Sequence, residues 1–255
     1  MGLILKAAGA NFEANAVSYI PPVADGLLYW GFLNDSVEKL GRNFAPEGAP
    51  VSVVGVPPVT SAGAVLDKNN HIKTQIQQTP SLTLIAVGNP LVDGAEQGMF
   101  ISNYTSARPS GVAGTSFGAS LYCNNDASAG TFHAVATVSS FSGVGGSASN
   151  VKSAFIYGMD ITKTAFLAMT IDGTEKIVRA YNLGTSVSEA TPAFSEAIDL
   201  GVTPFEIGGC PLTTYINNPR HLHFAAIYNR KLSKAELDLI YARVKPYLAA
   251  RGVSV

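Results

Sequence analysis

The chain has 255 residues, 47% of them apolar and only 14% charged, with 17 basic against 18 acidic side chains. That is ample material for a core and argues against a disordered chain; the absence of any basic block argues against a nucleic-acid binder. Two cysteines, Cys123 and Cys210, make no disulfide framework in a chain this long and read as buried thiols.

Residues 1–24 read as an arm. Its start, Met1 to Leu5, is apolar but has no basic residue ahead of it and is too short for a signal peptide or a membrane span. This sets the expectation of synthesis in a reducing cytoplasm and disfavours an exported toxin or a secreted enzyme. Pro21 and Pro22 stiffen the exit of the arm, which either adds a strand to its own domain or contacts a neighbouring subunit. Residues 25–255 show no composition break and are expected to form one domain.

Asp25 to Asn34 reads as a strand after a turn signal, with Trp30, the single tryptophan, as a core anchor. Val51 to Val56 and Ser81 to Gly88 are further strands, the latter bounded by Pro80 and Pro90. The Gly/Ser/Ala-rich middle, Gly98 to Gly158, accommodates short strands at 116–122, 131–138 and 153–157. Asp172-Gly173 between two β-rich runs predicts a hairpin, on the ground that glycine accepts positive φ. Phe205 to Gly209 precedes a final strand in which Leu222, Phe224, Ala226 and Tyr228 form one buried face. Ser233 and Glu236 then make a capping box, and Leu237, Ile240, Tyr241, Val244 and Leu248 follow at helical spacing, predicting a helix over about 234–250. Many short strands and one late helix predict an all-β, two-sheet antiparallel sandwich.

In this order the pieces resemble a laminin-G-like member of the concanavalin A-like lectin and glucanase superfamily. The resemblance is carried by Asp25 to Phe32, Arg42-Asn43, Ser81 to Val87, Met169 to Gly173, Phe205 to Gly209 and above all Ala226 to Glu236. It covers residues 25–248 and implies a jelly roll. The arm followed by the Asp25 turn is also similar in layout to bacteriophage tail and virion proteins. That likeness implies a structural component of a phage particle, in tail, baseplate or capsid decoration. Its expected partners are other virion proteins and a homo-oligomer, with a trimer as the guess, and its expected location is the virion.

No catalytic set stands out, and a non-enzymatic protein is expected. The glucanases of the superfamily resemble one another in a Glu-x-Asp-x-Glu strand. The nearest match here, Glu236 and Asp238, lies on the terminal helix, where residues two apart do not share a face. No phosphate loop, Cys-x-x-Cys pair or nucleophile elbow occurs. His221 and His223 sit two apart on a strand, a spacing that can present two metal ligands but lacks a third; the plainer expectation is a solvated or interface face opposite Leu222 and Phe224. Calcium is a further option, with oxygens from Asn34-Asp35, Asp67 to Asn70 and Asn124 to Asp126, all of which also suit ordinary turns. Sugar binding needs an exposed aromatic ring with polar partners. Three sets fit: Asn103 and Tyr104 with Arg108; Tyr122 with Asn124 and Asn125; and Tyr215 with Asn217 and Asn218. The functional expectation is a virion protein that also takes host surface glycan. The alternatives are a free-standing adhesin or lectin and, third, a polysaccharide depolymerase.

Overall fold

The structure, a computed structural model, describes residues 20–91, 98–125, 130–142, 148–214 and 218–255. The chain opens with β1 (Leu27–Phe32), α1 (Val37–Leu40), β2 (Ser52–Val54), β3 (Ala64–Leu66), β4 (His71–Lys73) and β5 (Leu82–Pro90). It continues with β6 (Gly98–Ser102), β7 (Ser106–Ala107), β8 (Thr115–Ser116), β9 (Ala119–Asn125), β10 (Thr131–Ser142) and β11 (Ala148–Asp160). It closes with β12 (Ala165–Asp172), β13 (Ile177–Asn182), β14 (Val187–Ala190), β15 (Glu206–Ile207), β16 (Arg220–Tyr228) and α2 (Lys234–Ala249).

Among the described residues these strands form two antiparallel sheets. Sheet A runs β1-β16-β5-β12-β13-β14, with β3 also on β16; sheet B runs β11-β10-β9-β6-β15-β4-β2. β7 and β8 make a separate two-stranded ribbon. The first and last strands are neighbours, Leu27 opposite Tyr228, so the domain closes on itself as the sandwich expectation requires. Between the sheets lie Tyr29, Leu84, Leu167, Met169 and Ile227 from one side and Phe100, Leu121, Phe132, Ile156 and Ile207 from the other.

A second core lies on the outer face of sheet A. Trp30, Phe166, Phe224, Ala226 and Tyr228 are covered there by Leu237, Ile240, Val244 and Leu248 of α2. Each such aliphatic side chain contributes roughly 1.5–3 kcal/mol by leaving water. Trp30 is wholly buried, its ring edge-on to Phe224 at 4.7 Å, in the anchoring role expected of it. The capping box is also present. Ser233 Oγ accepts from the Glu236 backbone N–H and the Glu236 carboxylate accepts from Ser233 N–H, while Arg230 Nη2 donates to Glu236 Oε1 at 2.7 Å.

Two local expectations need correction. The final strand is buried on both faces, and its alternation changes phase. A bulge between Leu222 and Phe224 sends Leu222 into the core between the sheets, while Phe224, Ala226 and Tyr228 face the helix. In the β12–β13 hairpin the residue at positive φ is Lys176, not Gly173. Asp172 Oδ1 accepts from the N–H groups of Thr174 and Glu175, and Gly173 is needed for closeness: a Cβ there would stand 2.7 Å from the Pro80 carbonyl oxygen. Of the arm, Pro21 and Val23 are buried, and the Val23 carbonyl accepts from the Tyr228 hydroxyl at 3.1 Å. Ile20 is 82% exposed, and the apolar start of the arm lies outside the described residues.

Candidate binding surface

The outer face of sheet B is built by period-2 alternation. Ala119, Leu121 and Cys123 of β9, Phe132, Ala134 and Ala136 of β10, and Ala154 and Ile156 of β11 point into the core. Their neighbours therefore point outward: Ser120, Tyr122 and Asn124; His133, Val135 and Thr137; Ser153, Phe155 and Tyr157. Register aligns them in rows. Met99, Tyr122, Val135 and Phe155 form one, Ser120, Thr137 and Ser153 a second, and Asn124 faces His133. Phe155 and Tyr157 stack at 5.7 Å, and His133 lies 5.3 Å from the Tyr157 ring. Tyr157 is 66% exposed. Among the described residues no helix lies on this face.

At one end of the face, Tyr104 stacks on Phe117 with ring centroids 5.8 Å apart. These two rings, with Ser120, Tyr122, Thr137 and Val151, line a groove of about 250 Å³, with no carboxylate among its described lining residues. Burial and the nearby Tyr104 push the Tyr122 phenol up to about 12, so it stays a neutral hydrogen-bond donor at ordinary pH. Tyr104 and Phe117 stand at the two ends of the segment that carries the β7–β8 ribbon. That segment is pinned from below by Arg108, whose Nε and Nη2 donate to the two oxygens of Asp199 at 2.9 and 2.8 Å, fully buried. Ser116 Oγ donates to the Asp199 carbonyl at 2.6 Å, and Ser139 Oγ reaches Asp199 Oδ2 at 3.3 Å.

Of the expected sugar-binding residues, Tyr104, Tyr122 and Asn124 lie on this face, Tyr104 and Tyr122 in one groove. Two others do different work. Asn103 is wholly buried and cross-links the loops, donating to the carbonyls of Gly201 and Thr203 and accepting from Ala119 N–H. Arg108 is the buried half of the ion pair just described. Tyr215 and Asn217 lie outside the described residues. Sequence reasoning passed over Phe117, His133, Phe155 and Tyr157. The i, i+2 spacing of Phe155 and Tyr157 was a usable signal, because it places both rings on one strand face.

Of the positions weighed for calcium or catalysis, Asp126 lies outside the described residues, and the following are engaged locally. Asp67 Oδ1 accepts from Asn69 and Asn70 N–H in an Asx turn, Asp35 pairs with Lys39, and Asn34 bonds Tyr247. Glu236 caps α2, and Asp238 pairs with Lys234. Among the described residues no group of three or more His, Cys, Asp or Glu side chains gathers in one place. His221 and His223 depart from expectation. His223 is buried, with 2% of its surface exposed, and both rings face the rim of sheet A.

No family model matches the chain, and no curated protein matches it. Among solved structures, the receptor-binding domain of botulinum neurotoxin type G is similar with a TM-score of 0.60 at 14% identity, over 87% of this chain and 52% of that one. The serotype D ligand-binding domain in complex with N-acetylneuraminic acid gives 0.59 at 12% identity, over 87% and 52%. The mosaic serotype C/D receptor-binding domain gives 0.59 at 12%, over 86% and 51%. At such identities the likeness is one of fold, a β-sandwich. The chain spans about half the length of the neurotoxin domains it matches.

Proposed function

We propose that this chain is a non-enzymatic glycan-binding sandwich that serves as a structural component of a bacteriophage particle. The observation that carries the glycan reading is the aromatic face of sheet B, over which no helix lies among the described residues. Stacked rings offer flat apolar surface to the C–H face of a sugar, and Tyr122 and Asn124 offer donors and acceptors beside it. The fold shared with a domain solved in complex with N-acetylneuraminic acid supports the same reading. The non-enzymatic reading rests on the sequence, whose nearest approach to a glucanase acid pair, Glu236 and Asp238, caps and pairs along α2 instead of facing one sugar.

The virion assignment rests on the layout of the arm and the sandwich in the sequence. A role for the arm in subunit contact, with a trimer as the expected assembly, rests on the same layout. A glycan array probed with the full chain and with Tyr104→Ala and Tyr122→Ala tests the binding face: hits lost in both variants support it, and an array with no hits removes it. Mass spectrometry of purified particles separates the virion component from a free-standing adhesin. Light scattering of the full chain against one lacking residues 1–24 tests the arm, and an unchanged assembly would assign it to its own sheet.

A further inference from the structure

A cleft of about 990 Å³ opens at the rim of the sandwich, between the end of sheet A and residues 156–160 of β11 in sheet B, so that Tyr157 borders both this cleft and the aromatic face. One wall of it lies on the side of sheet A that α2 covers. Over most of that side the strands present apolar residues, Phe224 on β16, Val87 on β5 and Phe166 on β12. Two residues nearer the rim, the same faces of β5 and β12 present Asn89 and Thr164. Register sets His221 directly opposite Asn89, and pairs Ala165 with Gly88, so Thr164 falls beside Asn89. The bulge between Leu222 and Phe224 adds His223 to the row, its ring centroid 4.4 Å from that of His221.

Both imidazoles pack against one turn, and His223 is bonded to it. His223 Nδ1 lies 2.8 Å from the Ala62 carbonyl oxygen. A carbonyl only accepts, so Nδ1 carries the proton and Nε2 keeps its lone pair. His221 packs its ring edge, Nε2 included, against the same turn at Gly63. Gly63 is required for this packing, because a Cβ there would stand 2.6 Å from His223 Nδ1 and 3.1 Å from His221 Nε2. Anchoring one ring nitrogen on a backbone carbonyl is what fixes the other nitrogen for metal ligation. Asn89 Nδ2 donates to the carbonyls of Pro90 and Ile161, which leaves its Oδ1 as the free acceptor. His223 Nε2 and Thr164 Oγ1 stand 3.3 Å apart, long for a hydroxyl hydrogen bond. Two donors on a tetrahedral ion at 2.0–2.1 Å are separated by about 3.3 Å.

We propose that this rim row is a site for one divalent transition-metal ion, with His221 and His223 as nitrogen ligands and Asn89 and Thr164 as oxygen ligands. Two imidazoles select zinc, nickel or copper over calcium and magnesium, which prefer all-oxygen sites. The proposal rests on residues of sheet A and not on the glycan reading, although Tyr157 borders both sites.

Calorimetric titration of the full chain with zinc and nickel chlorides, with calcium and magnesium as controls, tests it. One zinc or nickel ion per chain is expected, with tetrahedral Co²⁺ absorption as the optical signature. His221→Ala and His223→Gln should each weaken binding at least tenfold, and Thr164→Val less. His133→Ala, on the other sheet, should leave it unchanged. Circular dichroism of each variant separates loss of the site from loss of the fold. Binding unaltered in folded His221→Ala, equal binding of calcium, or no heat with zinc or nickel at 0.1 mM-scale concentrations (about 5 kcal/mol of binding free energy) overturns the proposal.

Discussion

On the outer face of sheet A, Trp30, Phe166 and Phe224 lie beneath α2. On the outer face of sheet B, Tyr122, Phe155 and Tyr157 lie beneath no helix among the described residues. Both faces come from strands that place apolar or aromatic residues on their two sides, so strand pattern alone does not tell them apart. The difference is whether a later element returns to cover the face. The covered face is a second core, and its rings stabilise the fold. The uncovered face keeps its rings half in water, which leaves apolar area free for a ligand.

The largest contrast is expected from deleting one ring on each face. Trp30→Ala should cost about 3–5 kcal/mol in urea unfolding, because a wholly buried ring leaves a cavity. Tyr157→Ala should change stability by less than about 0.5 kcal/mol. A Tyr157→Ala penalty as large as that of Trp30→Ala would mean the sheet B face is covered, and the contrast would collapse.

The ribbon that flanks the Tyr104–Phe117 platform gives the next test. Arg108→Met leaves the Asp199 carboxylate buried without its partner and should cost about 3–5 kcal/mol. The double variant Arg108→Met, Asp199→Leu should recover much of the stability, read by thermal unfolding, without restoring glycan binding if the pair positions the platform.

A smaller effect is expected at the cover itself. Ser233→Ala removes the capping oxygen of α2 and should cost about 1 kcal/mol. The Glu236 carboxyl is held down at about 2, chiefly by its hydrogen bond from Arg230. Its contribution is therefore present above the ordinary carboxylate value of about 4.5 and is lost as pH falls through about 2. Because the pair is partly solvated, the acid-limb difference between the wild type and Glu236→Gln should stay within about 1 kcal/mol. No difference between the two in acid unfolding below pH 4 (about the unperturbed carboxylate range) would remove the Arg230–Glu236 bond as a contributor.

Much of the fold was legible because it is written in local pattern. The capping box needs only Ser233 and Glu236 at the right spacing, and the hairpin needs only two β-rich runs with Asp172-Gly173 between them. The site was legible in part. Tyr104, Tyr122 and Asn124 were singled out as aromatic and amide groups, and they do lie on one face. Asn103 and Arg108 carried the same chemical signature, yet they are buried under the ribbon by Gly201, Thr203 and Asp199, nearly a hundred residues away in the chain.

The sequence by itself determined the all-β class, the terminal helix with its cap and the absence of a familiar catalytic motif, because each depends on residues within a few positions of one another. Tertiary structure alone decided which aromatic face α2 covers, and that a one-residue bulge turns His223 toward His221, Asn89 and Thr164. Those outcomes depend on cross-strand register and on the return of a distant element. Neither leaves a periodic signal in the chain, because register is set by pairing between segments rather than within them.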